Sequence, residues 1–498
     1  MLFNSYKFLI FFPIVVGIYF ILPKKFKQFF LLISSYFFYM CWNVKYSLLM
    51  FITTFVTYIS GLLISKENNK NIDKNKKIKN KKLIVLICCL INFGILFYFK
   101  YFNFGIDIVN RVLEYLNLSF RASSFDILLP VGISFYTFQS ISYIIDVYRN
   151  DIEPEKNFII YALFVSFFPQ LVAGPIERSK NLLIQLKTPK KFDYDNFKDG
   201  FLLMLWGFFM KIVIADRAAI FVNTVYSNYQ TYPGFYLIIA TMFFAIQIYC
   251  DFFGYSTIAT GAAKIFGIDL MDNFNSPYFS KSIREFWRRW HISLSTWFKD
   301  YLYFPLGGSR KGKLRKCINL MIVFVVSGIW HGANYTYIVW GFVNGLYQVF
   351  GELLQPVNDF VVSKLKINRE LIGYKIVAIL RTYILIFITN IIFRASNILN
   401  AVNIMKSIKN NFNPWILFDG SIYNCGLDSK NFMLLLFCIL ILFFADFCKL
   451  KGIKIREVIL KQDYWFKCIF IILVICFILV FGIWGPMYNE ANFVYFQF

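Results

Sequence analysis

From Phe8 to Trp484 at least ten apolar runs recur, each close to the roughly 20 residues an α-helix needs to cross the hydrocarbon core of a bilayer. No hydrophilic stretch between them exceeds a few tens of residues, so the chain leaves no room for a separate soluble domain. The expected fold is therefore an all-α polytopic membrane protein, with residues 1–498 forming one integral membrane domain in a cell membrane. Hydrophobic residues make up 58% of the chain and charged ones 16%, against roughly 45–50% and about 25% in soluble domains. The lipid bilayer is its first partner.

A net charge of +24 would in a soluble protein suggest nucleic acid. Here the lysines and arginines sit in short loops between apolar runs, as the positive-inside rule expects of cytoplasmic loops, and no nucleic-acid partner is expected. The first run, FLIFFPIVVGIYFIL, has Lys7 before it and Lys24, Lys25 and Lys27 after it, with no small-residue cleavage site, so it reads as a retained helix with its N-terminus outside. Residues 66–82 hold eight lysines in seventeen positions and read as a solvated cytoplasmic loop. A helix over 83–99 and an exposed or interfacial segment should follow. The closing segment GPMYNEANFVYFQF should lie outside. The ten cysteines fall mostly inside apolar runs and show no metal-ligand spacing.

Some runs carry polar breaks. In LLPVGISFYTFQSISYIIDVYR, residues 128–149, Pro130 and Gly132 precede a cluster that includes Tyr136 and Gln139. Polar or broken backbone at membrane depth is tolerated where protein or a water-filled cavity surrounds it, so this segment reads as cavity-lining or as an ordinary kink; AGPIER, with Glu177 and Arg178, reads the same way. Lys211, Asp216 and Arg217 end one apolar run, and Asp251 lies in another. An ionisable residue there is a functional candidate by default: Asp251 either faces a pore or orients a histidine, or it caps a helix and pairs with an arginine.

SIREFWRRWHISLSTWF has Phe286, Trp290, Leu294 and Trp297 on one helical stripe and Lys281, Arg284 and Arg288 on another. The spacing predicts an amphipathic interfacial helix. Its guanidinium groups, Arg288 and Arg289 beside Trp290, either anchor the chain at the interface or bind the phosphates of an acyl donor. The chain's two histidines, His291 and His331, follow in and after this segment. A helix rising about 1.5 Å per residue from Lys316 places His331 about 22 Å inward, beyond the middle of a core about 30 Å thick. Histidine is the side chain best suited to proton transfer near neutral pH, and Asn334, in HGANYTYIVWG, would share its cavity.

Two histidines without cysteine or carboxylate spacing supply too few ligands for a metal site, and no Walker loop or G-x-S-x-G elbow is present. A buried base among polar and basic groups suits acyl transfer, in which a thioester is already activated and histidine deprotonates a hydroxyl. EFWRRWHISLSTWFKDYLY, WHGANYTYIVWG, LPVGISFYTFQSISYIIDVYR and AGPIER together resemble the membrane-bound O-acyltransferase family, most closely its alginate O-acetylation branch. The resemblance implies a ring of roughly eleven or more transmembrane or re-entrant helices around a tunnel, His331 as the essential histidine and His291 at its partner position. It further implies a cytoplasmic donor, acetyl-CoA or an acylated carrier, with no bound cofactor or metal. The acetyl group would pass to an extracellular SGNH-type partner for O-acetylation of a polysaccharide. A sister branch moves D-alanine toward teichoic acid, and a non-enzymatic glycan exporter is a further alternative; an exporter would be expected to show two repeated halves, and none is apparent.

Overall fold

The computed structural model describes residues 1–71 and 73–484. The closing segment expected outside the membrane lies beyond the described residues. Every regular element described is helical, and seven helices are long and apolar enough to cross a membrane. The all-helical multi-pass expectation therefore holds.

Two compact units are distinguished, one formed by Met1–Met204 with Ser256–Met271, the other by Leu205–Tyr255 with the chain from Asp272 onward. The first contains α1 (Tyr6–Ile21), α2 (Lys24–Met40), α3 (Val44–Asn69), α4 (Lys74–Tyr115), α5 (Ile133–Tyr148) and α6 (Phe158–Ser166). Its core is largely phenylalanine: Phe11 meets Phe168 edge-on at 5.4 Å and Phe38 meets the same ring at 5.5 Å, pairs worth about 0.5–1.5 kcal/mol each beyond their burial. One expectation fails here. Residues 74–82 are not a loop but the first turns of α4, which runs unbroken to Tyr115 and at 1.5 Å per residue is about 63 Å long. Lysine is a good helix former, and the Asp73 carboxylate caps the start by accepting from the amides of Asn75 and Lys76.

α5 begins at Gly132, whose φ of +75° is open to glycine and whose added Cβ would lie 2.5 Å from the Leu171 carbonyl oxygen. Some of its polar side chains are met by protein. The Gln139 amide donates to the Phe164 carbonyl at 2.6 Å and its oxygen accepts from Gln170 at 2.8 Å, while Ser142 donates to the Gln139 carbonyl. Tyr136 is buried in the same helix.

α7 (Tyr194–Phe208) and α8 (Phe235–Ile265) contribute residues to both units. The second unit continues with α9 (Ile283–Arg289), α10 (Ile292–Phe298), α11 (Gly312–His331), α12 (Tyr335–Leu353), α13 (Gln355–Lys364), α14 (Ile372–Arg394), α15 (Ser429–Leu450) and α16 (Tyr464–Phe481). The last of these buries only Ile478 among its residues, as expected of a helix whose apolar side chains face lipid.

α11 and α12 form a hairpin with almost no side-chain spacer. A Cβ on Gly328 would lie 2.2 Å from the Tyr337 carbonyl oxygen, and one on Gly341 would lie 2.3 Å from that of Phe324. These are backbone atoms, so an alanine has to drive the two helices apart. Gly328→Ala and Gly341→Ala should each cost about 1–3 kcal/mol, the usual range for overpacking. The check is a lowered thermal midpoint of the detergent-purified protein, whereas Gly351→Ala, which meets nothing within 4 Å, should leave it unchanged.

Candidate active site

His331 is the final residue of α11. Gly332 turns the chain, and Asn334 opens α12 as its N-cap: its Oδ1 accepts from the Thr336 amide at 3.0 Å while its Nδ2 donates to the Ser396 carbonyl at 3.1 Å. The glycine contacts of the hairpin hold these ends together. The imidazole of His331 stands edge-on to Trp340 at 5.0 Å and to Phe393 at 5.5 Å, and near Trp330 at 5.1 Å. It lines a cavity of about 30 Å³ whose other walls include Trp287, Trp290, Trp340, Phe393 and Asn390. At 10–15 Å³ for each water centre, that is space for about two waters.

Asn390 is 9% exposed, and its Nδ2 has no hydrogen-bond partner among the described residues. A buried amide without a partner typically costs about 1–3 kcal/mol, so a donor held in this state beside a histidine suits a ligand better than it suits the fold. Sequence reasoning missed Asn390 together with Trp287, Trp340 and Phe393. The available signal was a single amide inside the apolar run ILIFITNIIF.

The continuous amphipathic helix expected across His291 is not formed. α9 stops at Arg289, Trp290 is extended, and His291 has a left-handed φ of +44° before α10 begins. A non-local pairing makes the break: the Asn275 amide donates to the Arg289 carbonyl at 3.0 Å, the Ile292 amide to the Asn273 carbonyl at 2.9 Å, and the Ser293 hydroxyl to Asn273 Oδ1 at 2.6 Å. His291 is 1% exposed, against Phe252 at 4.6 Å and Trp330 at 6.0 Å. It is absent from the cavity wall, and both histidines touch Trp330. Burial, with His331 nearby, holds its pKa well below the ordinary histidine value, so the imidazole is neutral at neutral pH.

The basic residues of α9 separate. Arg288 is exposed and Arg289 pairs with Glu285 at 2.7 Å, while Trp290 joins the cavity wall and stacks on Phe286 at 5.4 Å. Asp251 lies within α8, away from its ends, and pairs with a lysine. Gly254, one turn along α8, lets that helix approach the 207–211 backbone, where a Cβ would lie 2.9 Å from the Gly207 carbonyl oxygen. That approach brings Asp251 within 2.6 Å of Lys211 Nζ, which also meets Asp216 at 2.8 Å. Lys211 lies in a π-helical turn, Phe209–Ala215, and all three side chains are buried. Tyr136 and Gln139 belong to the first unit, as described above. Among the described residues no group of three or more histidine, cysteine or acidic side chains could hold a metal.

The family described as membrane-bound O-acyltransferase matches residues 155–393, a span that takes in both histidines and the cavity wall. Over 84% of its length the chain is 37% identical to the probable alginate O-acetylase AlgI of Pseudomonas syringae pv. tomato, covering 76% of that protein. It is 32% identical over 82% of its length to the peptidoglycan O-acetyltransferase of Helicobacter pylori, covering 80% of it. The teichoic acid D-alanyltransferase of Bacillus subtilis is 29% identical over 42% of the chain and 56% of that protein.

Proposed function

Since the chain belongs to the membrane-bound O-acyltransferase family, a family of acyltransferases, we propose that it O-acetylates an extracellular or cell-wall polysaccharide, with His331 as the general base. The observation that carries the assignment is His331 lining a buried, indole-walled cavity beside the unpartnered amide of Asn390. Greater coverage by the alginate and peptidoglycan O-acetylating relatives than by the D-alanyltransferase supports acetyl as the transferred group.

His331 takes the proton of an acceptor hydroxyl while that oxygen attacks the acetyl carbonyl of a thioester. The C–O bond forms, and the carbonyl oxygen becomes an oxyanion to which the Asn390 amide donates. The C–S bond then breaks, and the imidazolium returns its proton to the departing thiolate, giving an acetate ester and a thiol. His291, behind Trp330 rather than on the cavity wall, acts as a positioning residue that holds the indole on which His331 rests. Arg288 and Arg289 are placed in this reading to meet the phosphates of the donor, acetyl-CoA or an acylated carrier on the cytoplasmic side. The reading also includes a ring of eleven or more spans around a tunnel, transport of the acetyl group across the membrane, and an extracellular SGNH-type partner that completes the transfer.

The test is acetate released by mild alkali from the envelope polymers of cells with and without the protein. Loss of acetate on deletion, restored by complementation, supports the reading, and the polymer that loses it is the acceptor. Loss of esterified D-alanine with unchanged acetate would overturn it in favour of D-alanyl transfer, and loss of neither would favour a non-enzymatic exporter. Within the same reading, Asn390→Ala should lower turnover by about 10²-fold with the donor KM unchanged, the usual effect of removing one oxyanion donor. Initial rates of the purified protein with a thioester donor measure it.

A further inference from the structure

The helices that wall the His331 cavity also build a second hollow. A groove of about 770 Å³ is lined by four cationic side chains: Lys281 and Arg284 at the start of α9, Arg369 before α14, and Arg381 on α14. Two of them already have counter-charges, Arg284 with Glu352 and Arg369 with Asp359. Lys281 and Arg381 do not: both are exposed, and neither has a carboxylate within ion-pair distance among the described residues. Glu370 feels the charge of Lys281 at longer range but is paired with Lys375 at 2.7 Å. Arg381 donates to the Lys281 carbonyl at 3.3 Å, which brings the two cationic residues together.

Arg381 lies nine residues into α14, a helix long and apolar enough to cross the membrane, or about 14 Å along it. A guanidinium at such a position calls for a counter-charge, and among the described residues Arg381 has the Lys281 carbonyl but no carboxylate within ion-pair distance. The groove also holds apolar side chains, set among polar ones such as Gln348, Gln355 and Asn358. Phe350, Leu354 and Val357 line it from the end of α12 and the start of α13, each more than half exposed. Paired cations over exposed apolar side chains match a molecule with a phosphate at one end and hydrocarbon at the other.

We propose that this groove binds the headgroup phosphate of an anionic glycerophospholipid, with Lys281 and Arg381 as the phosphate ligands and Phe350, Leu354 and Val357 beneath its acyl chains. A soluble phosphate compound would answer the cations but leave the three apolar side chains in water. The lipid joins α9 to α14, the two helices that carry Trp287 and Phe393 to the reaction cavity. Occupancy therefore steadies the cavity wall, and acetyl transfer depends on the charge of the surrounding lipid. That last step rests on the reading of the cavity as the acyl-transfer site; the binding site itself does not.

The full-length protein is reconstituted in nanodiscs of phosphatidylcholine, alone or mixed with phosphatidylglycerol. Lipid retained after extraction into detergent is then measured by mass spectrometry. Wild type should retain phosphatidylglycerol selectively. Lys281→Gln/Arg381→Gln should lose that retention by about thirtyfold, equivalent to about 1 kcal/mol for each cation, whereas Lys281→Arg/Arg381→Lys should keep it. Phosphatidylglycerol should raise the transfer rate of wild type and not of the glutamine variant. Absence of selectivity in wild type overturns the proposal whether or not the variants fold. So does equal retention by a glutamine variant whose thermal midpoint matches wild type, and so does a raised donor KM with unchanged lipid retention, which would assign the groove to a soluble phosphate-bearing substrate. Retention is read without any transfer reaction, so a wrong acceptor or acyl group leaves this result standing.

Discussion

Replacing His331 with alanine should lower O-acetyl transfer by about 10²–10⁴-fold, the range that one positioned general base contributes, while the protein still accumulates in the membrane. The fold should survive because the imidazole faces a cavity, and its removal loses ring contacts with Trp340 and Phe393 without leaving a buried charge. Alkali-released acetate, compared at matched membrane levels of protein, is the measurement; acetate within a fewfold of wild type would remove His331 from the chemistry. His291 provides the contrast. Its left-handed backbone, φ +44°, favours asparagine among the replacements, since asparagine enters that region several-fold more readily than most residues. If His291 positions, His291→Asn should keep most of the activity and His291→Ala less. If it carries a proton, both should fail alike, because neither replacement titrates near neutral pH.

The second large effect concerns stability. Lys211→Met should destabilise the protein by about 3–5 kcal/mol, the usual result of removing one partner from a buried ion pair, because Asp216 and Asp251 would remain buried without their shared ammonium. Removing all three charges, as Lys211→Met/Asp216→Asn/Asp251→Asn, should restore most of the loss, since an uncharged buried set is often no less stable than the ion pair it replaces. Thermal midpoints in detergent for the single and triple variants decide it. A triple variant no better than the single one would show that the charges are not what the site requires. A triple variant that is stable yet inactive would give Asp251 a part in the reaction.

What could be read from the sequence follows from contrast. His331 stood out because the chain has two histidines and this one sits deep along an apolar helix. The walls of its cavity did not, because aromatic residues make up 21% of the chain and nothing marks Trp287, Trp340 or Phe393 among them. The break at His291 was hidden for a different reason. Trp290-His291-Ile292 contains no glycine or proline, and the interruption is made by Asn273 and Asn275, far enough back that helical periodicity cannot report it. At the start of α4 the error ran the other way: a lysine-rich segment suggested loop, although charge alone does not stop a chain of good helix formers with a capping aspartate ahead of it. Gly328 and Gly341 looked like ordinary residues of apolar helices until the backbone contacts showed what each makes possible.

The small size of the His331 cavity bears on fidelity. A thioester is thermodynamically ready to react with water, and an enzyme that keeps a general base beside one invites hydrolysis in place of transfer. Space for about two waters, enclosed largely by indole and phenyl rings, holds almost none of the competing nucleophile. On the acyl-transfer reading, an acceptor hydroxyl that enters so small a space displaces most of the solvent in it. On that reading wasted donor should be scarce when acceptor is absent, because the base has so little water within its reach.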